Sequence, residues 1–228
     1  MLRITMLCSL LLLGISAYAE TEPYNRVNFQ IEVSREVAND LLVANLSMEI
    51  QDKKPATVAQ RLNTALNDAF KKADAFNTVK TSSGNQSTRP VYNKENQVDA
   101  WRGHAEIYLE SRDFKAAGEL IMQLQQSMQV KNIQFNIAPD TRAQVENELI
   151  TEAIKAFQTR ASTISNAMGA STYKNVNLSI NHTGGRPTPY PMTMTRNVMA
   201  LEANIPAPKF AAGDSRMVVQ VNGIIELQ

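Results

Sequence analysis

The sequence predicts an α+β protein with a mainly antiparallel sheet and helices packed on one face. Some stretches alternate apolar and polar residues with a period of two, the mark of half-buried strands. Others repeat apolar residues at three- and four-residue steps, the mark of amphipathic helices. In the middle of the chain the two kinds follow the order strand, helix, strand, strand, helix, strand. That is the order of a ferredoxin-like βαββαβ core, to which the pattern adds an N-terminal strand, a long third helix and C-terminal strands.

Val27, Phe29, Ile31 and Val33 alternate with Asn28, Gln30, Glu32 and Ser34 as a first strand. Asn39-Asp40 reads as a turn, and Leu42, Ala44, Leu46, Met48 and Ile50 alternate beyond it, so the two strands are expected to form a hairpin. Pro55 opens a helix, at the position where a missing N–H matters least. Its apolar face is Val58, Leu62, Ala65, Leu66, Ala69, Phe70 and Ala73. Residues 78–92 are polar and fit a strand with a kink at Ser83-Gly84-Asn85. In the next strand Trp101, Ala105, Ile107 and Leu109 share one face, and Arg102, His104, Glu106 and Tyr108 share the other.

Asp113 opens a second helix with a narrow stripe of Phe114, Ala117, Ile121, Leu124 and Met128. Ile133, Phe135 and Ile137 form a strand that Pro139 ends. Asp140 or Thr141 then caps a third helix, whose acidic start suits the helix dipole. It runs to Met168, with Gly169 as a left-handed stop. Val176, Leu178 and Ile180 form a strand. Residues 183–215 are a loop rich in Pro, Met and Thr, with a short strand near Val198 to Ala203. Met217, Val219, Val221, Ile225 and Leu227 close the chain as a strand, with Gly223 read as a bulge.

Residues 1–19 read as a signal peptide. Arg3 precedes an apolar run from Ile4 to Ile15, too short to span a bilayer, and Ala17-Tyr18-Ala19 supplies the small-x-small cleavage pattern. Residues 20–228 are then a single domain. Cys8 sits inside the apolar run, not behind it, which argues against a lipidated cysteine. It is the only Cys of the 228-residue chain, so the exported part is cysteine-free and rests on its apolar core. The expected location is the bacterial periplasm, with outer-membrane association, and no transmembrane segment remains after cleavage.

The 23 basic and 22 acidic residues leave a net charge of +1 and no basic surplus for nucleic acid. The sequence has two His, which cannot assemble a histidine-rich metal site or a Ser-His-Asp triad with a recognisable elbow. It has no Gly-rich phosphate cradle. His104, with Arg102 and Glu106 on its strand face, is where an unrecognised enzyme site would lie, although a solvated sheet face is the plainer reading. His182 precedes Gly184-Gly185 in a loop with nothing nearby to complete a site. Glu148 and Glu152, four apart on the third helix, read as a solvated face rather than an acid–base pair. Met192, Met194 and Met199 are soft enough to bind Cu(I), although apolar packing of the loop is the plainer reading. The sequons at Asn45, Asn85, Asn177 and Asn181 read as chance matches, since Asn45 and Asn177 fall in strands. The added strands leave sheet edges that need cover or pairing. The late loop can cover its own chain or reach a neighbouring subunit.

The run Glu152-Ala153-Ile154-Lys155-Ala156-Phe157-Gln158-Thr159-Arg160-Ala161, its closing Gly169 and the strand from Val176 to Ile180 resemble the SIMPL-domain family. So do Arg89-Pro90-Val91-Tyr92, the strand from Trp101 to Leu109 with Arg112-Asp113-Phe114 after it, and Ile133-Gln134-Phe135. The chain departs from that pattern at Asn39, where many members have Pro, and at Phe157, where a small residue is common. The resemblance implies an exported α+β protein of the periplasmic oxidative-stress-defence or outer-membrane immunogenic type. It implies no catalytic, cofactor or metal residues. The expected function is therefore non-enzymatic: an oligomeric structural or interaction protein linked to envelope or oxidative stress, a homo-oligomer with envelope protein partners and no cofactor. The second reading is a small-molecule or Cu(I) binder using the late loop.

Overall fold

A computed structural model describes residues 24–183 and 211–228. The expected signal peptide, the strand expected near Val198 to Ala203 and most of the late segment lie outside the described residues. The elements run β1 (Arg26–Ala38), β2 (Leu41–Asp52), α1 (Pro55–Ala73), β3 (Val79–Tyr92), β4 (Val98–Ser111), α2 (Phe114–Leu124), β5 (Gln129–Asn136), α3 (Pro139–Ala167), β6 (Tyr173–Thr183) and β7 (Asp214–Leu227).

These strands form two sheets, not one. The first has the order β3-β4-β2-β5, antiparallel throughout, which is the ferredoxin-like arrangement the element order implied. The second has the order β1-β7-β6, also antiparallel. The expected β1–β2 hairpin does not form. β1 pairs along its whole length with β7, from Arg26 opposite Glu226 to Ala38 opposite Asp214. Alternation shows which face a strand buries, not which strand it pairs with.

Each sheet has its own core. Under α1 and α2, Leu42, Leu46, Ile107 and Leu109 meet Val58, Leu62, Leu120 and Leu124, all essentially inaccessible. Helix α1 sits directly on β4. A Cβ at Gly103 would lie 2.3 Å from Val58 Cγ1 and 2.7 Å from Leu62 Cδ1. Asp113 caps α2 as expected, accepting from the Ala116 N–H at 3.0 Å. Met128 falls after the end of α2 rather than on it, yet is buried in the same core.

The second core lies between α3 and the three-stranded sheet. Leu149, Ala153, Phe157 and Ala161 form a slanting stripe at four-residue spacing. The Phe157 ring stacks on Phe29, with centroids 4.4 Å apart and planes at 10°. It also fills the space over Gly223, where an added Cβ would meet Phe157 Cζ at 2.4 Å. Gly223 is therefore not a bulge. The β1–β7 register runs unbroken through Phe29 opposite Gly223, and the register shift in this sheet is at Asn175/Asn177 on the β6 side. In β3 the kink expected near Ser83-Gly84-Asn85 is present as a shift between Ser83 and Gln86. Gly169 stops α3 at φ +75°.

The two halves meet at Asn39-Asp40, where the chain leaves one sheet for the other. Asn39 is buried and faces the three-stranded sheet. Its N–H donates to Gly213 O, its Nδ2 donates to Ala212 O at 2.9 Å, and its Oδ1 accepts from the buried Ser215 hydroxyl at 2.6 Å. Asp40 faces α3. Its carboxylate accepts from the Ala138 N–H and from the Thr141 hydroxyl, each at 2.6 Å. The N-cap residue of α3 is Ala138, whose own side chain cannot cap, so the expected caps Asp140 and Thr141 are inside the helix and Asp40 supplies the acceptor. Arg112 bridges Asp40 and Asp140.

Partial burial raises the Asp40 pKa, but the Ala138 and Thr141 hydrogen bonds and the Arg112 charge outweigh it and hold the carboxyl below its ordinary value. A lowered folded-state value stabilises above the unfolded pKa of roughly 3.9 and loses that contribution as pH falls through the folded value. Urea denaturation should show Asp40→Ala about 1–3 kcal/mol less stable at neutral pH, the loss expected for a cap and a second hydrogen bond. That gap should persist down to about pH 5 and close in stronger acid. Gly223→Ala should lose about 1–3 kcal/mol by crowding Phe157, with the near-ultraviolet dichroism of the stacked rings changing alongside.

Candidate functional site

Alternation in β4 turns Gly103, Ala105, Ile107 and Leu109 under the helices and places Arg102, His104, Glu106 and Tyr108 on the opposite face. The register sets β2 residues beside them: Gln51 opposite Arg102, Glu49 opposite His104, Ser47 opposite Glu106 and Asn45 opposite Tyr108. On the other side β3 brings Ser87 opposite His104 and Ser82 opposite Tyr108. The result is a polar sheet face with a compact cluster at its centre.

Glu106 is the hub of that cluster. His104 Nε2 lies 3.0 Å from Glu106 Oε1, and the Tyr108 hydroxyl donates to Oε2 at 3.0 Å. The Asn45 side chain also hydrogen-bonds this carboxylate. The His104 bond, then those from Tyr108 and Asn45, keep Glu106 below the usual carboxylate range despite its partial burial. The same bond raises the Tyr108 phenol, since ionising it would set a second negative charge beside the first. The cluster thus sets a carboxyl held low beside a phenol held high. Gly84, in the β3 irregularity, makes room for it: a Cβ there would lie 2.7 Å from both Glu106 Cβ and Tyr108 Cε2. Asn45 Oδ1 is buried without a hydrogen-bond partner among the described residues.

Of the residues singled out in the sequence, the structure brings His104 and Glu106 together and turns Arg102 away. Arg102 Nε lies 2.9 Å from Glu49, and its Nη2 donates to Gln51 at 3.3 Å. Glu148 and Glu152 are not merely solvated. Arg35, on the α3-facing side of β1, spans both, with Nη1 2.5 Å from Glu148 and Nη2 3.3 Å from Glu152. Arg35, then Gln144, hold Glu148 low. His182 lies 3.3 Å from Glu146. Asn45 and Asn177 lie in β2 and β6. Cys8, Gly184, Gly185, Met192, Met194 and Met199 are outside the described residues.

Sequence reasoning missed Asn45 as a partner of Glu106, and Arg35 as the bridge to α3. Arg35 carried a signal that could have found it: it sits at an apolar-face position of β1, between Val33 and Val37. Among the described residues no three His, Cys, Asp or Glu side chains gather into a group that could hold a metal ion. Nor is any helix there long and apolar enough to cross a membrane. A shallow groove of about 560 Å³ runs between β2 and α1, lined by Glu49, Gln60, Arg61, Thr64 and Asp68 among others.

Glu106→Gln should lower the Tyr108 phenol pKa toward its ordinary value of about 10. A spectrophotometric phenolate titration, with Tyr108→Phe identifying the transition, reads the shift. No movement would mean that Glu106 does not set that phenol.

The family model described as SIMPL, a protein of unknown function (DUF541), matches residues 27–225. No curated protein matches the chain.

Proposed function

We propose that this protein, which belongs to the SIMPL family, is exported and acts in the cell envelope without catalysing a reaction. It works by assembly, as an oligomeric structural or interaction protein of the periplasm, in association with the outer membrane. The observation that carries this reading is the pairing state of the described residues. The acidic and basic groups of the candidate site are already engaged with one another: His104, Tyr108 and Asn45 on Glu106, Arg102 on Glu49, Arg35 on Glu148 and Glu152. Among the described residues, by contrast, no strand pairs with the outer edges of the two sheets.

Export is supported by the apolar run from Ile4 to Ile15 and by Ala17-Tyr18-Ala19. The tie to envelope or oxidative stress rests on the family resemblance. Light scattering on the purified protein is expected to give a mass that is a multiple of the single chain and falls on dilution. A strict monomer at all accessible concentrations overturns the assembly reading. Amino-terminal sequencing of the native protein should begin after Ala19; retention of those residues on a cytosolic protein overturns export.

A further inference from the structure

Four strands stand at sheet edges: β3 and β5 in one sheet, β1 and β6 in the other. Exposed edges template further pairing unless they are short, kinked or interrupted by charge or proline. Three of the four carry such devices. β3 has Pro90 and the irregularity at Gly84. β5 is 8 residues long, with Lys131 left without an opposite residue where its register shifts. β6 has its register shift at Val176. β1 is neither short, kinked nor interrupted by proline: it runs 13 residues in unbroken register with no Pro, Gly or Lys, and its charges, Arg26, Glu32, Arg35 and Glu36, are of both signs.

The hydrogen bonds fix which groups of β1 face outward. Leu227 N–H donates to Asn25 O, and Asn39 N–H donates to Gly213 O, so odd-numbered residues bond to β7. The N–H and C=O groups of Arg26, Asn28, Gln30, Glu32, Ser34 and Glu36 therefore point away from the sheet. Among the described residues no strand pairs with them.

We infer that this edge pairs antiparallel with β1 of a second copy about a two-fold axis, with Arg26 of each copy opposite Glu36 of the other. This rests on the assembly reading above and names its surface. Between this register and its two nearest neighbours, it alone makes ion pairs without setting like charges opposite each other. Arg26 meets Glu36, Asn28 meets Ser34, Gln30 meets Glu32, Phe29 meets Val33 and Ile31 meets its own copy on the axis. Shifting the pairing by one step toward the N-terminus sets Arg26 opposite Ser34 and loses both ion pairs; shifting it the other way sets Glu32 against Glu32. Glu36 has no ion-pair partner in its own chain among the described residues, whereas Arg26 already holds Glu226 at 3.0 Å. Antiparallel edge pairing keeps like faces together, so both α3 helices lie on one side of a continuous six-stranded sheet, β6-β7-β1-β1-β7-β6.

The test uses purified full-length chain in a Cys8→Ser background, sized by light scattering across a dilution series. Gln30→Pro removes an outward N–H while leaving the β7 ladder intact, and should abolish the contact. Glu36→Arg should weaken it about tenfold, because two like-charged pairs then face each other. Adding Arg26→Glu to Glu36→Arg should restore it, even though the bridge to Glu226 is lost. Ile31→Cys should form an intermolecular disulfide under mild oxidation. Assemblies whose size ignores all these changes, and that do not cross-link at Ile31→Cys, overturn this interface and leave the assembly reading standing. Absence of any assembly in the unmodified protein overturns both. Amides of Gln30 and Glu32 that stay protected from exchange in fully dissociated protein overturn the interface too, because the edge is then covered by its own chain, for instance by residues 184–210. Should Gln30→Pro lose its dichroism spectrum, the charge swap decides alone.

Discussion

The architecture depends on how two adjacent residues divide their hydrogen bonds. Asn39 holds Gly213, Ala212 and Ser215 on one side, while Asp40 holds Ala138 and Thr141 on the other. Without these bonds the connection between β1 and β2 would be a plain extended link between two separately packed cores. With them, each half fixes the other. The start of α3 is tied to the strand crossover, and the start of β7 is tied to the residue beside it. Burying Asn39 is tolerable because its backbone N–H and both side-chain atoms have partners. Proline at that position would have no N–H for Gly213 and no amide for Ala212 and Ser215. The side chain that departs from the family pattern is thus one the junction uses.

Electrostatics follows the same economy. The ionisable groups of the candidate cluster are arranged as neighbours two apart on one strand, or diagonally across β2 and β4, as Arg102 and Glu49 are. A carboxylate with several donors is stable as an anion and poorly suited to exchanging protons. Similar pairing occurs where β1 meets α3, with one guanidinium between two carboxylates a helical turn apart. These contacts are half-exposed and each contributes little to stability.

Much of the fold was legible because periodicity encodes burial. The bounds of α1, the cap at Asp113, the stop at Gly169 and the kink around Gly84 could all be read locally, since each depends on residues a few positions apart. The partition into two sheets could not. β1 and β2 both alternate in the same way, and nothing local shows that one pairs with β7 and the other with β4 and β5. Asp40 capping α3 was hidden for the same reason, with almost a hundred residues between the acceptor and the N–H it receives. Gly223 was misread because a glycine in a strand signals either a bulge or a close approach, and only the position of Phe157 separates the two. At the candidate cluster, the face carrying His104, Glu106 and Tyr108 was visible from alternation. That Arg102 turns to Glu49 and that Asn45 reaches Glu106 depended on the neighbouring strand and its register.

The pairing of the first strand with the last has a consequence for how the chain acquires its shape. The four-stranded unit is continuous in sequence from Leu41 to Asn136 and can condense as soon as it is released. The other sheet cannot, because its central strand β7 comes after every other element, and Arg26 and Glu226 stand 200 positions apart. During synthesis β1 therefore emerges before the rest of its sheet and waits longest for its partner. Its apolar row stays uncovered until the final segment arrives to zip it shut. Loop closure over such a separation is slow relative to local collapse. The ferredoxin-like half is thus complete in sequence well before the strand that the other sheet and α3 need for their closure is made.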